Sequence, residues 1–130
     1  MAPRSEIEER ARAQFLLGEF EAAKNTCNLI ISRNRNKSYF AFYLLGRIAE
    51  KNEQYDRAVE LLMKSIETYP RFVSAYLDLG NILLQGGLTQ DAVYCFRKAV
   101  EIDPTRVASY ENLTKAYQEI DFQQWESLTS

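Results

Sequence analysis

Residue types that carry out chemistry are few in this chain of 130 residues. It contains no histidine and two cysteines, Cys27 and Cys95. Catalytic triads and metal sites that depend on histidine are therefore excluded, and neither thiol has an imidazole to activate it. Both cysteines lie on apolar faces of predicted helices that are too far apart for a disulfide. We expect buried, reduced, structural thiols, which favours a cytoplasmic location.

Other signatures of ligand chemistry are also missing from the sequence. Gly86 and Gly87 are not followed by the Lys-Ser/Thr pair of a phosphate-binding loop. The many acidic residues fall on helix faces where water solvates them. The sequence thus predicts no cofactor, no metal and no catalytic residue, so the protein is not expected to be an enzyme. A net charge of −2 without a basic stripe predicts no nucleic-acid partner. No apolar run approaches the roughly 20 residues of a membrane span, so no membrane partner is expected.

Aromatic, small and proline residues recur in the chain with a period of 34 residues. The clearest copy has Tyr76, Leu79, Gly80, Ala92, Phe96, Ala99 and Pro104. The copy before it has Phe42, Leu45, Gly46, Ala58, Leu62, Ser65 and Pro70 at the same positions. The residues after the clearest copy repeat its start with Tyr110 and Leu113, and Thr114 stands in place of glycine.

These residue types indicate what one period builds. Small residues at Gly80 and Ala92 allow two antiparallel helices to approach closely, because a larger side chain would hold the backbones apart. Pro104 lacks the N–H that would continue a helix, so it ends the second helix of the pair. The segment before Tyr39 is a weaker copy, as expected of an end repeat that has a neighbour on one side only.

The pattern predicts seven helices in one domain over residues 4–120. They are expected near 4–17, 20–33, 39–52, 55–69, 73–86, 89–102 and 107–120. The first six form three repeats, 4–38, 39–72 and 73–106, and the last is a capping helix. Its apolar stripe should pack against the third repeat: Val107, Tyr110, Leu113, Tyr117 and Ile120. Residues 121–130 form a tail or a truncated helix with Phe122, Trp125 and Leu128 at helical spacing, so the chain could be a fragment of a longer array.

The 34-residue pattern resembles that of the tetratricopeptide repeat (TPR) family. The resemblance implies an all-α fold of the TPR-type α-solenoid, a right-handed superhelix of antiparallel helix pairs. It also implies a non-catalytic adaptor that binds a peptide or a helical segment of a partner protein in a concave groove. Two alternatives remain open: a self-associating assembly protein, which would be a homo-oligomer, or a regulatory fragment of a larger, enzymatic protein.

Counting from the first residue of each repeat gives the residues that should line the groove. They are Phe40, Tyr43, Leu44, Arg47, Leu77, Asp78, Asn81, Leu84, Asn112 and Lys115. The apolar members would form an exposed patch that binds partner side chains. Alternatively, the register is shifted by one residue and they belong to the core. Asn81 occupies the family position whose amide bonds a peptide backbone, while Asp78 either joins this site or pairs with Arg47.

The family also includes co-chaperones, whose TPR domains hold a terminal carboxylate in a clamp of lysine, asparagine and arginine. At the five clamp positions this chain places Glu8, Arg12, Leu44, Ser74 and Asp78 in one frame, and Tyr43, Arg47, Asp78, Ala108 and Asn112 in the other. Neither frame builds a cationic pocket, and the acid at Asp78 would repel a carboxylate. The sequence therefore predicts against a ligand of the Hsp70 or Hsp90 carboxylate type.

Overall fold

The computed structural model describes residues 4–34 and 37–129, without the side chains of residues 125, 128 and 129. The described residues form seven α-helices and no strand. The helices are α1 (Glu6–Leu16), α2 (Phe20–Arg33), α3 (Tyr39–Lys51), α4 (Tyr55–Thr68), α5 (Val73–Gln85), α6 (Thr89–Ile102) and α7 (Val107–Thr129). The predicted side-chain pattern of Trp125 and Leu128 lies outside the described residues.

Six helices have the predicted bounds to within two residues, and α7 does not. It was predicted to end near Ile120 but continues to Thr129. The reason is the absence of a breaking residue, because residues 121–129 contain neither glycine nor proline. By contrast, α5 ends at a glycine pair in which Gly87 has a φ of +82°, a conformation that glycine adopts readily.

The chain divides into two compact units, one up to Pro70 and one from Arg71. In the first unit α1 packs on α2, α3 packs on α4, and both α1 and α2 contact α3. In the second unit α5 packs on α6, α6 packs on α7, and α5 also contacts α7. Each unit therefore contains one strong repeat, α3–α4 or α5–α6, with a flanking helix or helix pair.

Hydrogen bonds fix the start of α1 against the start of α3. The Glu8 side chain accepts from the Ser5 backbone N–H at 3.0 Å, and the Ser5 hydroxyl accepts from the Glu8 N–H, which is a capping box. The other Glu8 oxygen accepts from the Ser38 hydroxyl at 2.9 Å. Ser38 Oγ also accepts from the Ala41 N–H and so caps α3. One carboxylate thus joins two helix N-termini.

Close contact between paired helices explains why glycine stands at the same position in the two strong repeats. A Cβ added to Gly80 would lie 2.4 Å from Cε1 of Phe96 on α6. A Cβ added to Gly46 would lie 3.0 Å from Cγ of Leu62 on α4. Phe96 and Leu62 are both completely buried. The absence of a side chain at Gly46 and Gly80 therefore makes room for a large, fully buried side chain on the partner helix.

The packing face of α7 differs from the prediction. Ser109 and Ala116 are fully buried, and Asn112, Leu113 and Ile120 are half-buried. Three members of the predicted stripe are exposed instead: Val107 at 66%, Tyr110 at 44% and Tyr117 at 45%. The physical reason is that small residues allow close packing of α7 on α6 and α5, whereas the aromatic side of α7 faces away from this contact.

We predict that Gly80→Ala lowers the free energy of unfolding by about 1–2 kcal/mol. Overpacking against Phe96 costs about 1–3 kcal/mol, and the higher helix propensity of alanine offsets up to about 1 kcal/mol of that. Gly46→Ala should cost less, because its nearest obstacle is the flexible Leu62 side chain. Urea unfolding measures both free energies.

The control is a double-mutant cycle with Phe96→Leu, which installs the residue that α4 carries at this position. Gly80→Ala should cost less in the Phe96→Leu background than in the wild type. An equal cost in the two backgrounds would show that the Phe96 ring is not the obstacle.

Candidate functional site

The predicted groove residues of the first unit lie on one helix, and we call Phe40, Tyr43, Leu44 and Arg47 the α3 face. Its three apolar members are buried, with exposed fractions of 3% for Phe40, 9% for Tyr43 and 2% for Leu44. The expectation of an exposed apolar patch is therefore wrong for these side chains. The reason is that α3 is covered on several sides within its own unit, by α4 and by α1 and α2.

Two guanidinium groups cover the aromatic rings of the α3 face. The Arg4 guanidinium lies 4.2 Å from the centroid of the Phe40 ring. The Arg47 guanidinium lies 4.9 Å from the Phe15 ring and 5.9 Å from the Tyr43 ring. Cations attract the negative faces of aromatic rings, so these contacts orient both arginines. The α3 face therefore presents guanidinium groups that lie over aromatic rings. The Arg47 side chain itself is half-buried.

The predicted groove residues of the second unit lie on two helices that contact each other, and we call them the α5–α7 face. They are Leu77, Asp78, Asn81 and Leu84 on α5, and Asn112 and Lys115 on α7. Leu77 is 8% exposed, so its predicted exposure is also wrong. Asp78, Asn81, Leu84 and Asn112 are half-buried and Lys115 is exposed. This face keeps accessible amides, which donate and accept hydrogen bonds at the same time.

The turn between α6 and α7 sets the position of α7. Asp103 accepts from the Thr105 hydroxyl at 2.6 Å and from its backbone N–H at 3.1 Å. These hydrogen bonds to Thr105 lower the pKa of the Asp103 carboxyl. The Tyr110 hydroxyl donates to the Pro104 carbonyl at 2.9 Å, and Arg106 donates to the Ser74 hydroxyl at 3.3 Å. The turn thereby connects the start of α7 to the start of α5.

The sequence reasoning missed a groove of about 370 Å³ in the first unit, between α2, α3 and α4. Its apolar lining comes from Ile31, Phe42, Leu45 and Leu61, and its polar lining includes Arg57 and Lys64. Lys64 Nζ lies 5.8 Å from the Phe42 ring. The groove could not be read from the repeat pattern, because that pattern assigns Phe42 and Leu45 to helix packing and does not show gaps between neighbouring pairs.

The sequence reasoning also missed an exposed side of α7, which we call the α7 stripe: Val107, Tyr110, Thr114 and Tyr117. All four residues are exposed. In the two complete repeats the corresponding positions are largely covered by the second helix of the pair. Phe42 and Tyr76, for example, are 7% and 9% exposed, against 44% for Tyr110. The repeat pattern aligns Tyr110 with these two buried residues and so predicts burial, which means that the pattern itself gives no signal for the exposed stripe.

The two thiols are free and buried, as predicted. Burial raises the pKa of the Cys27 thiol to about 12. Burial, with a smaller contribution from the nearby Asp91, raises the pKa of Cys95 to about 11. Both thiols are therefore protonated near neutral pH. Within residues 4–34 and 37–129, no group of three or more acidic or cysteine side chains is placed to hold a metal ion. No helix in that part of the chain has the length and apolar character of a membrane span.

Comparison with known proteins establishes the family. A sequence profile of the tetratricopeptide repeat family matches residues 43–107, half of the chain. The chain therefore belongs to the tetratricopeptide repeat family, which confirms the predicted family and the all-α fold class. The matched segment covers both strong repeats in part or in full, and these are the copies that carry the glycine and proline landmarks.

Two relatives match over about half of this chain but over little of their own length. The chain is 35% identical to human anaphase-promoting complex subunit 7 over 66 residues, which is 51% of the chain and 12% of that protein. It is 33% identical to UDP-N-acetylglucosamine–peptide N-acetylglucosaminyltransferase of Giardia intestinalis over 66 residues, which is 4% of that protein. The chain thus corresponds to a small part of each relative.

Solved structures show the same fold at low sequence identity. The first TPR domain of Spaghetti (RPAP3), bound to the HSP90 peptide SRMEEVD, has a TM-score of 0.79 and 12% identity to this chain. The similarity covers 88% of this chain and 90% of that domain. At this identity the similarity concerns the fold.

We predict that stability falls as the pH rises from 9 towards 11. A thiol in the unfolded chain has its ordinary pKa of 9.0, so above pH 9 the unfolded state loses protons that the folded state keeps. The free energy of unfolding should decrease by up to about 1.4 kcal/mol per pH unit for each thiol. Urea unfolding between pH 8 and 11 measures the slope.

A Cys27→Ala/Cys95→Ala variant isolates the thiols from the tyrosines, since burial also raises the pKa of Tyr39 and Tyr76. The variant should have a shallower slope above pH 9. Identical slopes for the variant and the wild type would contradict the prediction.

Proposed function

We propose that the chain is a non-catalytic protein-interaction module, an adaptor that binds a peptide or helical segment of a partner protein. The observation that carries the proposal is the set of half-buried amides on the α5–α7 face. Asn81 and Asn112 are partly desolvated yet accessible, so each can hydrogen-bond to a peptide backbone in a setting where such bonds are worth more than at an open surface.

The neighbouring residues supply the other elements of a peptide site. Leu84 is half-buried and offers apolar contact, while the exposed Lys115 adds a positive charge at the edge. An apolar contact fixes affinity and the polar groups fix orientation, which is the usual division in binding sites. The family and the peptide-bound TPR domain of Spaghetti support binding of an extended segment.

The α3 face is the second place where we propose partner contact. Its accessible member is Arg47, whose guanidinium lies 4.9 Å from the Phe15 ring and 5.9 Å from the Tyr43 ring. Since Phe40, Tyr43 and Leu44 are buried, they would support the arginine rather than contact the partner. Partner residues with carboxylates would suit this face, because the positive charges of Arg4 and Arg47 lie there and attract negative groups.

We propose further that the partner does not present a terminal carboxylate of the Hsp70 or Hsp90 type to the α5–α7 face. Asp78 lies on this face one helical turn from Asn81, and its negative charge opposes a carboxylate.

We also propose a cytoplasmic location, because both cysteines are free thiols. A regulatory role within a larger enzyme is the alternative, supported by the short match to the Giardia transferase.

The test is selection of a random 12-residue peptide library on the wild-type chain, followed by fluorescence polarisation with the selected peptides. We expect the Asn81→Ala/Asn112→Ala variant to bind them at least about tenfold more weakly, since each lost hydrogen bond costs on the order of 1 kcal/mol. Asn112 and Asn81 are half-buried rather than core residues, so the variant should retain the circular dichroism of the wild type.

The matched control is Gln90→Ala, which removes an exposed amide from α6 in the same unit. It should bind the selected peptides like the wild type. If the asparagine variant also binds like the wild type, the α5–α7 face is not the site. If the library yields no binder, the proposal of a peptide-binding module fails.

A further inference from the structure

Ser109 on α7 carries a buried hydroxyl group that lacks a hydrogen-bond partner. Its side chain is completely buried, and no donor or acceptor of the described residues bonds to its Oγ. The hydroxyl has therefore lost its hydrogen bonds to water without gaining one within the protein, which costs free energy. Most buried polar groups of folded proteins have a partner, so an exception calls for a physical explanation.

The equivalent positions of the two strong repeats carry alanine. Ala41 on α3, Ala75 on α5 and Ser109 follow one another at the 34-residue period, and all three are completely buried. The position therefore requires a small side chain, and alanine meets that requirement without a polar atom. Serine adds only the hydroxyl, so it weakens the packing of α7 relative to an alanine at the same place.

Ser65 on α4 shows the opposite situation in the same chain. It is also completely buried, but its hydroxyl donates to the Tyr39 carbonyl at 2.8 Å and so joins α4 to the start of α3. A buried hydroxyl with such a bond stabilises a protein, whereas one without a bond destabilises it. Ser65 and Ser109 are therefore expected to have opposite effects on the packing of their helices.

The other polar contacts of α7 hold its start more firmly than its far part. Near the start, the Tyr110 hydroxyl donates to the Pro104 carbonyl at 2.9 Å. Further along, Gln123 donates to the Thr89 hydroxyl at 3.4 Å, which is long for a hydrogen bond and therefore weak. The turn at residues 103–106 is accordingly the point about which α7 would separate from its unit.

The packing of α7 also determines whether the α5–α7 face is complete. Asn112 lies on α7 between the two fully buried residues Ser109 and Ala116, and Asn81 lies on α5. Because the two amides belong to different helices, they form one face only while α7 is packed against its unit. The face therefore depends on a contact that an unsatisfied hydroxyl weakens.

We propose that α7 opens and closes about the turn at residues 103–106 while α5 and α6 stay folded, and that Ser109 sets this equilibrium. The closed state is the packed arrangement described above. In the open state the Ser109 hydroxyl regains its hydrogen bonds to water, so serine favours opening relative to alanine. Local openings of this kind have lower free energies than unfolding of the whole unit.

A peptide on the α5–α7 face would select the closed state, since only that state presents Asn81 and Asn112 together. Partner binding is thereby coupled to the closing of α7, and the apparent affinity falls with the fraction of molecules that are open. This coupling rests on the function proposed above, whereas the opening of α7 does not.

Amide hydrogen exchange of the full chain, measured by mass spectrometry at increasing urea concentrations, detects the opening. In the wild type, the amides of residues 111–118 should exchange at least about tenfold faster than those in the centres of α5 and α6. Their exchange should also depend less on urea, because opening of one helix exposes less surface than unfolding of the unit.

The variant Ser109→Ala should slow exchange at residues 111–118 by about tenfold, which corresponds to about 1.4 kcal/mol. It should fold normally, because alanine already occupies this position at Ala41 and Ala75. The matched control Ser65→Ala replaces an equally buried serine whose hydroxyl is bonded. It should speed exchange in α3 and α4, the opposite sign.

The coupling is measured with a peptide selected in the binding test above. At a peptide concentration of about one hundred times its Kd, exchange at residues 111–118 should slow by about a hundredfold. A peptide that binds without slowing this exchange would show that its site does not need the closed state. If the library yields no binder, the function proposed above fails, and the urea dependence with the two serine variants still decides whether α7 opens.

Two outcomes would overturn the opening of α7. The first is exchange at residues 111–118 with the same rate and urea dependence as in α5 and α6, because α7 would then separate only when the whole unit unfolds. The second is unchanged or faster exchange in Ser109→Ala, because the serine hydroxyl would then not oppose the closed state.

Discussion

The tight approach of two helices at a glycine is the constraint on which this structure depends. At Gly80 the backbone of α5 comes so close to Phe96 that a single added carbon would overlap the ring. The buried ring fills the space that the absent side chain leaves, and the contact sets the separation of the pair. Gly46 and Leu62 make the same kind of contact in the first unit with a smaller residue. Each pair is thereby specified by one small and one large residue.

This constraint explains which surfaces remain for function. A first helix buries one side on its second helix and another on the neighbouring helices, so most of its apolar residues become core. Phe40, Tyr43, Leu44 and Leu77 follow this rule. What remains accessible is polar or cationic, such as Asn81, or Arg47 over its rings. Along α7, which no second helix within the described residues covers, Tyr110 and Tyr117 are exposed.

Much of the fold could be predicted from the sequence. The 34-residue period locates the helices, and glycine and proline have local effects on helix contacts and helix ends. Pro70 and Pro104 follow the ends of α4 and α6, and six helices have the predicted bounds to within two residues. The end of α7 could not be predicted from repeat alignment. The alignment predicts that α7 ends where α3 and α5 end, but the residues after that point in α7 contain no helix breaker. Whether the helix continues from Ile120 to Thr129 depends on the composition of those residues themselves.

The candidate site was harder to predict than the fold, for a different reason. Position in the repeat indicates the direction of a side chain but not what covers it. Arg4 lies over Phe40, yet the 34-residue period relates equivalent positions of different repeats and does not indicate which side chains contact each other. In α7, the predicted stripe combined residues of two sides, Leu113 and Ile120 with Tyr110 and Tyr117. The choice between these sides depends on Ser109 and Ala116, whose small size permits close packing but which carry no hydrophobic signal.

The most direct test of this account is the solvent accessibility of individual tyrosines in dilute solution, measured by hydroxyl-radical footprinting with mass spectrometry. The account predicts rapid modification of Tyr110 and Tyr117 and protection of Tyr76 and Tyr43, which are each 9% exposed. Tyr110 and Tyr76 occupy the same repeat position, so their ratio reports whether a second helix is in place. Protection of Tyr110 and Tyr117 equal to that of Tyr76 would contradict the account, because the α7 stripe would then already be covered.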